Sequence, residues 1–345
     1  MEALQVRLNQ VDYPVRSYSR IDEAQVIEML PQVAPQKHVK NPLQFIESNT
    51  KEVDFKHLKT ECVIPVFSKD NEVTISHTNF IETVHEAITR VLPNEYISSP
   101  DIRVSHLIKG RTPDALHKSV NELQDKDRTL YYERMAFIME IPSISDAIEG
   151  NQLNLCIGGV RAYNHENLYS KKAPEKFKIF IGFKNMVCCN MCVSTNGYLS
   201  ELKAMDYQSL LAHTVELFER YNAMEQIQLL SSFSNYSLSE HQFAQLVGKT
   251  RLYQCLPQNQ KKGLPVMQFG DGQLNIIARN YYSDDAFCRN GDGSINLWRV
   301  YNLFTEANKS SYIDTFLDRS VNATNFLNGV SMALQGNAEY QWFIN

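Results

Sequence analysis

Three cysteines crowd one short stretch of this chain: Cys188, Cys189 and Cys192, in NMVCCNMCV. A CxxC pair suggests a thiolate metal ligand set or dithiol redox chemistry. The spacing argues against both. Read as a strand, Cys189 and Cys192 point to opposite faces, while Cys188 and Cys192 share a face about 13 Å apart. A disulfide needs Cα atoms within about 7 Å of one another. No second CxxC and no histidine-rich helix offers further tetrahedral ligands. The thiols are expected to be inert packing residues, with no metal and no cofactor.

Just upstream lies a different chemistry. The span Arg161 to Lys184 carries Arg161, Lys171, Lys172, Lys176, Lys178 and Lys184 against Glu166 and Glu175, interleaved with Tyr163, Tyr169, Phe177, Phe180 and Phe183. Cations track phosphates and aromatic faces stack on bases, which is the chemistry of single-strand binding. Strand alternation sends Phe177, Ile179, Ile181 and Phe183 to one side and Lys178, Phe180, Gly182 and Lys184 to the other. With Arg103 and Lys109 from a neighbouring strand, the expected wet face comprises Arg103, Lys109, Arg161, Lys171, Lys172, Lys176, Lys178, Phe180 and Lys184. A solvated lysine surface is the ordinary alternative.

No catalytic constellation emerges elsewhere. The nine histidines include no H-E-x-x-H, and His213 reads as a packing residue within a helix. Asp314 and Asp318 lie four apart beside Arg319, as on a solvated helix face, and Asp284 to Gly293 lacks the glycine and glutamate of a calcium loop. Gly158-Gly159 has no phosphate-binding pattern around it and marks a bulge or a close backbone approach.

The elements that position these residues follow from periodicity. Residues 1–48 hold four of the twelve prolines and read as an arm or peripheral segment, and Val53 to Phe67 is strand-like in composition. Ser76 caps a helix running through Phe80, Ile81, Val84 and Ile88 to Pro93. About five strands follow between residues 100 and 195, interrupted by a polar span, 110–127, too long for a hairpin turn and read as a mobile loop. A tight turn at Lys184-Asn185 joins the last two. Leu210 to Leu230 reads as one long helix, and Ser237-Leu-Ser-Glu240 as the capping box of another. Leu274, Ile276 and Ala278 suggest a strand, and Asn290 to Gly293 the tip of a hairpin or a loop. The C-terminus is helical, from Leu297 to Thr305 and from Tyr312 to Leu334. The fold class is α+β: a twisted antiparallel sheet at 100–195 covered by helices at 206–232 and 238–255. The core is expected at 49–255, with a C-terminal hairpin and helices, 256–345, packed on it.

Composition narrows the partners. A net charge of -5 and a pI near 6.0 exclude a wholesale polyanion binder, confining any nucleic-acid site to one face. No stretch approaches the roughly 18 apolar residues of a membrane helix, so no membrane partner and a cytoplasmic location are expected.

Several segments resemble a domain-of-unknown-function family of Bacteroidota genomes: PDIRVSHLIKGRTPDA (100–115), YYERMAFIMEIPSI (131–144), IGGVRAYNHENLYSKK (157–172), FKIFIGFKNMVCCNMCV (177–193) and INLWRVYNLFTEANKSSYIDTFLDRSVNA (295–323). The family is distantly similar to phage/plasmid-like proteins of mobile elements. The shared pieces are a GF-x-x-x-VC-x-N strand pair, here from Gly182, and an LW-x-x-YN-x-x-TE helix, here from Leu297. This chain has Asn190-Met191-Cys192 where many such proteins have Asn-Gly-Leu. The resemblance implies a mobile-element or phage setting and supplies no reaction. Two functions are therefore expected: a DNA-transaction protein binding single strands over the Arg161–Lys184 face, or an interaction or inhibitor module acting on a host protein through exposed aromatics such as Trp342 and Phe343. A metal-dependent enzyme is the third alternative.

Overall fold

The computed structural model describes residues 44–62, 74–165 and 173–345, and its organising element is the sheet that the alternation predicts. Strands β1 (Lys51–Glu52), β2 (Asp101–Arg111), β3 (Arg128–Ile148), β4 (Asn151–Ala162), β5 (Glu175–Asn185) and β6 (Met191–Cys192) pair antiparallel in that order. Strand β7 (Tyr198–Ala204) pairs with the first half of β5, beside β6. Five of these strands, β2 to β6, fall between residues 100 and 195. A separate two-stranded ladder joins β8 (Ser237–Leu238) to β9 (Ile295–Asn296).

The helices are α1 (Phe55–Thr60), α2 (His77–Val91), α3 (Tyr207–Arg220), α4 (Ala223–Ser232), α5 (Glu240–Cys255), α6 (Gln258–Lys261), α7 (Asp271–Ser283), α8 (Leu297–Asn308), α9 (Ile313–Leu334) and α10 (Gln341–Ile344). Ser76 caps α2 as expected, accepting from the Asn79 N–H. Leu43–Asn345 forms one unit, and its main apolar core draws on both sides of residue 255.

Both faces of the central part of the sheet are covered, while the end of β2 from His106 to Lys109 is largely open. On one, Phe177, Ile179, Ile181 and Phe183 meet α2 and α3; the Phe80 ring lies 5.3 Å from Phe137 and 4.8 Å from Phe177. Gly159 permits this approach, since a Cβ there would sit 2.5 Å from the Phe80 ring. Gly158-Gly159 is thus a close approach within regular pairing. On the other face Ala136, Ile138, Val160 and Phe180 pack under Ile313, Phe316 and Leu317 of α9, together with Phe45 and Ile46.

Several local expectations need correction. The long helix is two, because the chain is extended at Tyr221 and Asn222 caps a new helix by accepting from the Glu225 N–H. Residues 274–278 are helical: Leu274, Ile277 and Tyr281 are buried at helical spacing, and the Gln273 side chain accepts from the Gly270 N–H. The cap of α5 is Ser239, not Ser237, which lies in β8. Part of the strand-like 53–67 is α1, and 63–67 lies outside the described residues. The 110–127 span contains three short 3₁₀ turns, held by Lys118 Nζ on Asp127 at 2.9 Å. The arm expected at 1–48 lies outside the described residues up to 43.

Candidate functional site

The centre of the expected wet face is internal, while Lys109 and Lys176 at its edges are exposed. Phe180 is 1% exposed beneath α9. Lys178 donates to Asp318 at 2.5 Å and to the Asp314 carbonyl at 2.6 Å, and Arg134 pairs with Asp314 at 3.5 Å. The acidic pair expected on a solvated helix face is therefore what docks α9 onto the basic strand. Lys184 pairs with Glu140 at 2.6 Å. Burial, the largest single influence, lowers this ammonium's pKa, but the Glu140 hydrogen bond and charge together with the nearby Cys189 and Cys156 hold it above the usual value. Arg103, 5% exposed, pairs with Glu52 at 3.1 Å and Asp101 at 3.2 Å. Lys176 pairs with Glu201 at 2.6 Å.

Arg161 is fully buried in an ion pair with Glu175, its guanidinium over the rings of Tyr163 at 4.5 Å and Phe177 at 4.7 Å. Glu175 also accepts from the Ile75 N–H at 3.2 Å, which ties the entry to α2 to the sheet. Lys109 is exposed and makes no ion pair among the described residues. Lys171 and Lys172 lie outside them. The sequence thus names the right strand faces, but the counter-ions and the covering helix come from distant parts of the chain.

The thiols are not placed as strand alternation predicts. Cys188 and Cys189 sit in the turn after β5 rather than in a strand, with Cys189 at φ 60°, and Cys192 is fully buried in β6. Burial pushes the Cys192 thiol up to about 12 and Cys188 higher still, away from thiolate chemistry. Among the described residues no three His, Cys, Asp or Glu side chains group as metal ligands. The GF-x-x-x-VC-x-N stretch and the LW-x-x-YN-x-x-TE helix meet here: Asn185 donates to Asn302 Oδ1 at 3.1 Å and Asn190 to the Asn302 carbonyl at 3.0 Å. Lys309 caps the turn on the Cys188 carbonyl. His213 is exposed on α3, contrary to its expected packing role. Phe343 is buried and Trp342 half-buried under Lys249, so this pair is no open aromatic surface.

A cleft of about 500 Å³ opens where the loop after β6 meets α3, α4 and α9. Its floor is fixed by Gln226, 1% exposed, whose Nε2 donates to the Cys192 carbonyl at 2.8 Å while Oε1 accepts from the Tyr221 hydroxyl at 2.7 Å. The Ser194 hydroxyl lies within donating reach of both Gln226 Oε1, at 2.9 Å, and Asn196 Oδ1, at 2.5 Å. Thr195 donates to Asn325 Oδ1 at 3.1 Å. Gly197 closes the loop against the Ile181 carbonyl, 2.1 Å from where a Cβ would sit. Thr195 thus engages the Asn325 oxygen and leaves its N–H₂ group as a donor among the described residues, while the Asn196 carboxamide stands beside it at the mouth of the cleft. Arg220 and Glu225 add one charge of each sign, and neither side chain forms an ion pair among the described residues. Sequence reading missed this site because its residues follow no apolar period and no motif. The only signals were the Ser-Thr-Asn-Gly turn and the break at Tyr221-Asn222.

A family model described as "Domain of unknown function, B. Theta Gene description (DUF3871)" matches residues 21–344. The chain belongs to this family. Its extent takes in the whole sheet, all the helices above and the cleft. Comparison with curated proteins and with solved structures gave no match.

Proposed function

We propose that the protein is an interaction module that holds an extended polar segment of a partner protein in the Ser194–Gln226–Asn325 cleft. In the mobile-element setting that its sequence resembles, that partner is a host factor. The observation that supports this reading most is the pair of carboxamides, Asn196 and Asn325, lining a cleft whose Gln226 is locked by buried hydrogen bonds. Peptide carbonyls are neutral acceptors and suit such donors. A single strand laid on the sheet would need open cations, and those on β5 are paired or buried.

The test is capture from host lysate with full-length protein and with an Asn196→Leu/Asn325→Leu variant, followed by calorimetry on the purified partner. The expected result is one stoichiometric partner whose affinity falls about tenfold or more in the variant, as two lost hydrogen bonds imply. A partner bound equally by both proteins overturns the reading.

A further inference from the structure

The proposed peptide cleft has a neighbour. Arg220 lines both the cleft and a second hollow of about 310 Å³ between β7 and α3, so it stands at their junction. Glu225 belongs to the first cavity alone. The second is floored by Leu199, Leu202 and Leu217, of which Leu202 is 5% and Leu217 0% exposed. The guanidinium has no ion-pair partner among the described residues and presents a planar fork suited to a carboxylate. The Glu225 carboxylate has none either, and its backbone N–H is the part of the residue that the helix cap uses. The surroundings do not suit a polyanion: Glu201, Glu216 and Glu225 line the two cavities beside Arg220, Lys203 and His213, and Lys203 already pairs with Glu201 at 3.6 Å.

We infer that the partner segment carries a cationic, an acidic and an apolar side chain in that order along the chain, read in either direction. The cation sits on Glu225, the carboxylate on Arg220, and the apolar side chain in the leucine-floored hollow. The order is set by geometry, since Arg220 is shared by the two cavities, Glu225 lines only the first, and Leu199, Leu202 and Leu217 line only the second. This rests on the cleft being a peptide site and specifies what it reads.

The experiment is panning of a random phage-displayed peptide library on immobilised full-length protein and on an Arg220→Glu/Glu225→Lys variant. Unchanged far-ultraviolet circular dichroism and melting establish that the variant folds, as expected for substitutions at exposed positions. The wild type should enrich the basic, acidic, apolar pattern. The variant should enrich the pattern with its two charges exchanged and bind wild-type peptides about tenfold more weakly. Charged peptides enriched identically by both proteins overturn the inference. So does enrichment of uncharged peptides that Asn196→Leu/Asn325→Leu abolishes and the charge exchange does not, although the cleft would then stand as the peptide site. Absence of any enrichment overturns both.

Discussion

At the scale of single residues, His77 shows how burial sets chemistry. Its Nε2 lies 2.9 Å from the Tyr132 carbonyl, its Nδ1 has no hydrogen-bond partner, and its ring lies 4.6 Å from that of Tyr163. Burial, reinforced by the Arg161 charge and opposed by the Tyr132 bond, lowers its pKa to about 3. The unfolded chain, with an ordinary histidine, takes up this proton first as pH falls. The neutral ring's contribution to stability is therefore present above about pH 6.5 and is lost progressively towards pH 3. Denaturant titrations between about pH 6.5 and pH 5, above the range of ordinary carboxylates, should show stability falling with pH more steeply in the wild type than in His77→Gln. Equal slopes would mean that the ring is open to protons in the folded state. No sequence pattern signals this, because the groups that bury His77 come from β3, β4 and the residues after it.

At the scale of elements, the informative event is the docking of α9 on β5. Alternation in FKIFIGFKN correctly assigned side chains to two faces, since that depends only on the strand's own geometry. It does not reveal what covers each face, because the covering helix begins more than a hundred residues later in the chain. Phe180 was legible as facing away from Phe177 and Ile179, but its burial under Phe316 and Leu317 was not. Phe180→Ala should accordingly destabilise the fold by about 3–5 kcal/mol in denaturant unfolding, the cost of a large cavity in a packed core. A change below about 0.5 kcal/mol would place the ring at the surface. Helix breaks were hard to read for a related reason. The apolar period of α3 resumes in α4, so hydrophobic spacing runs through a junction that only the Asn222 cap interrupts.

At the scale of the whole molecule, the sheet is covered at its centre on both faces, and the proposed cleft lies among the loops and helix ends at its margin. The α+β class and the five strands between 100 and 195 were legible in the sequence, because long apolar periods report burial directly. The cleft was not, because Ser194, Arg220, Gln226 and Asn325 come together from three elements and a loop whose meeting is set by tertiary packing. Family membership across residues 21–344 includes these positions without assigning them a role. The most direct test of the account is hydrogen exchange on the full chain, free and saturated with the captured partner protein. The account predicts slowed exchange in 194–197, 220–229 and 323–326, with the basic strand β5 unchanged. Protection confined to β5 or to regions remote from the cleft would contradict it.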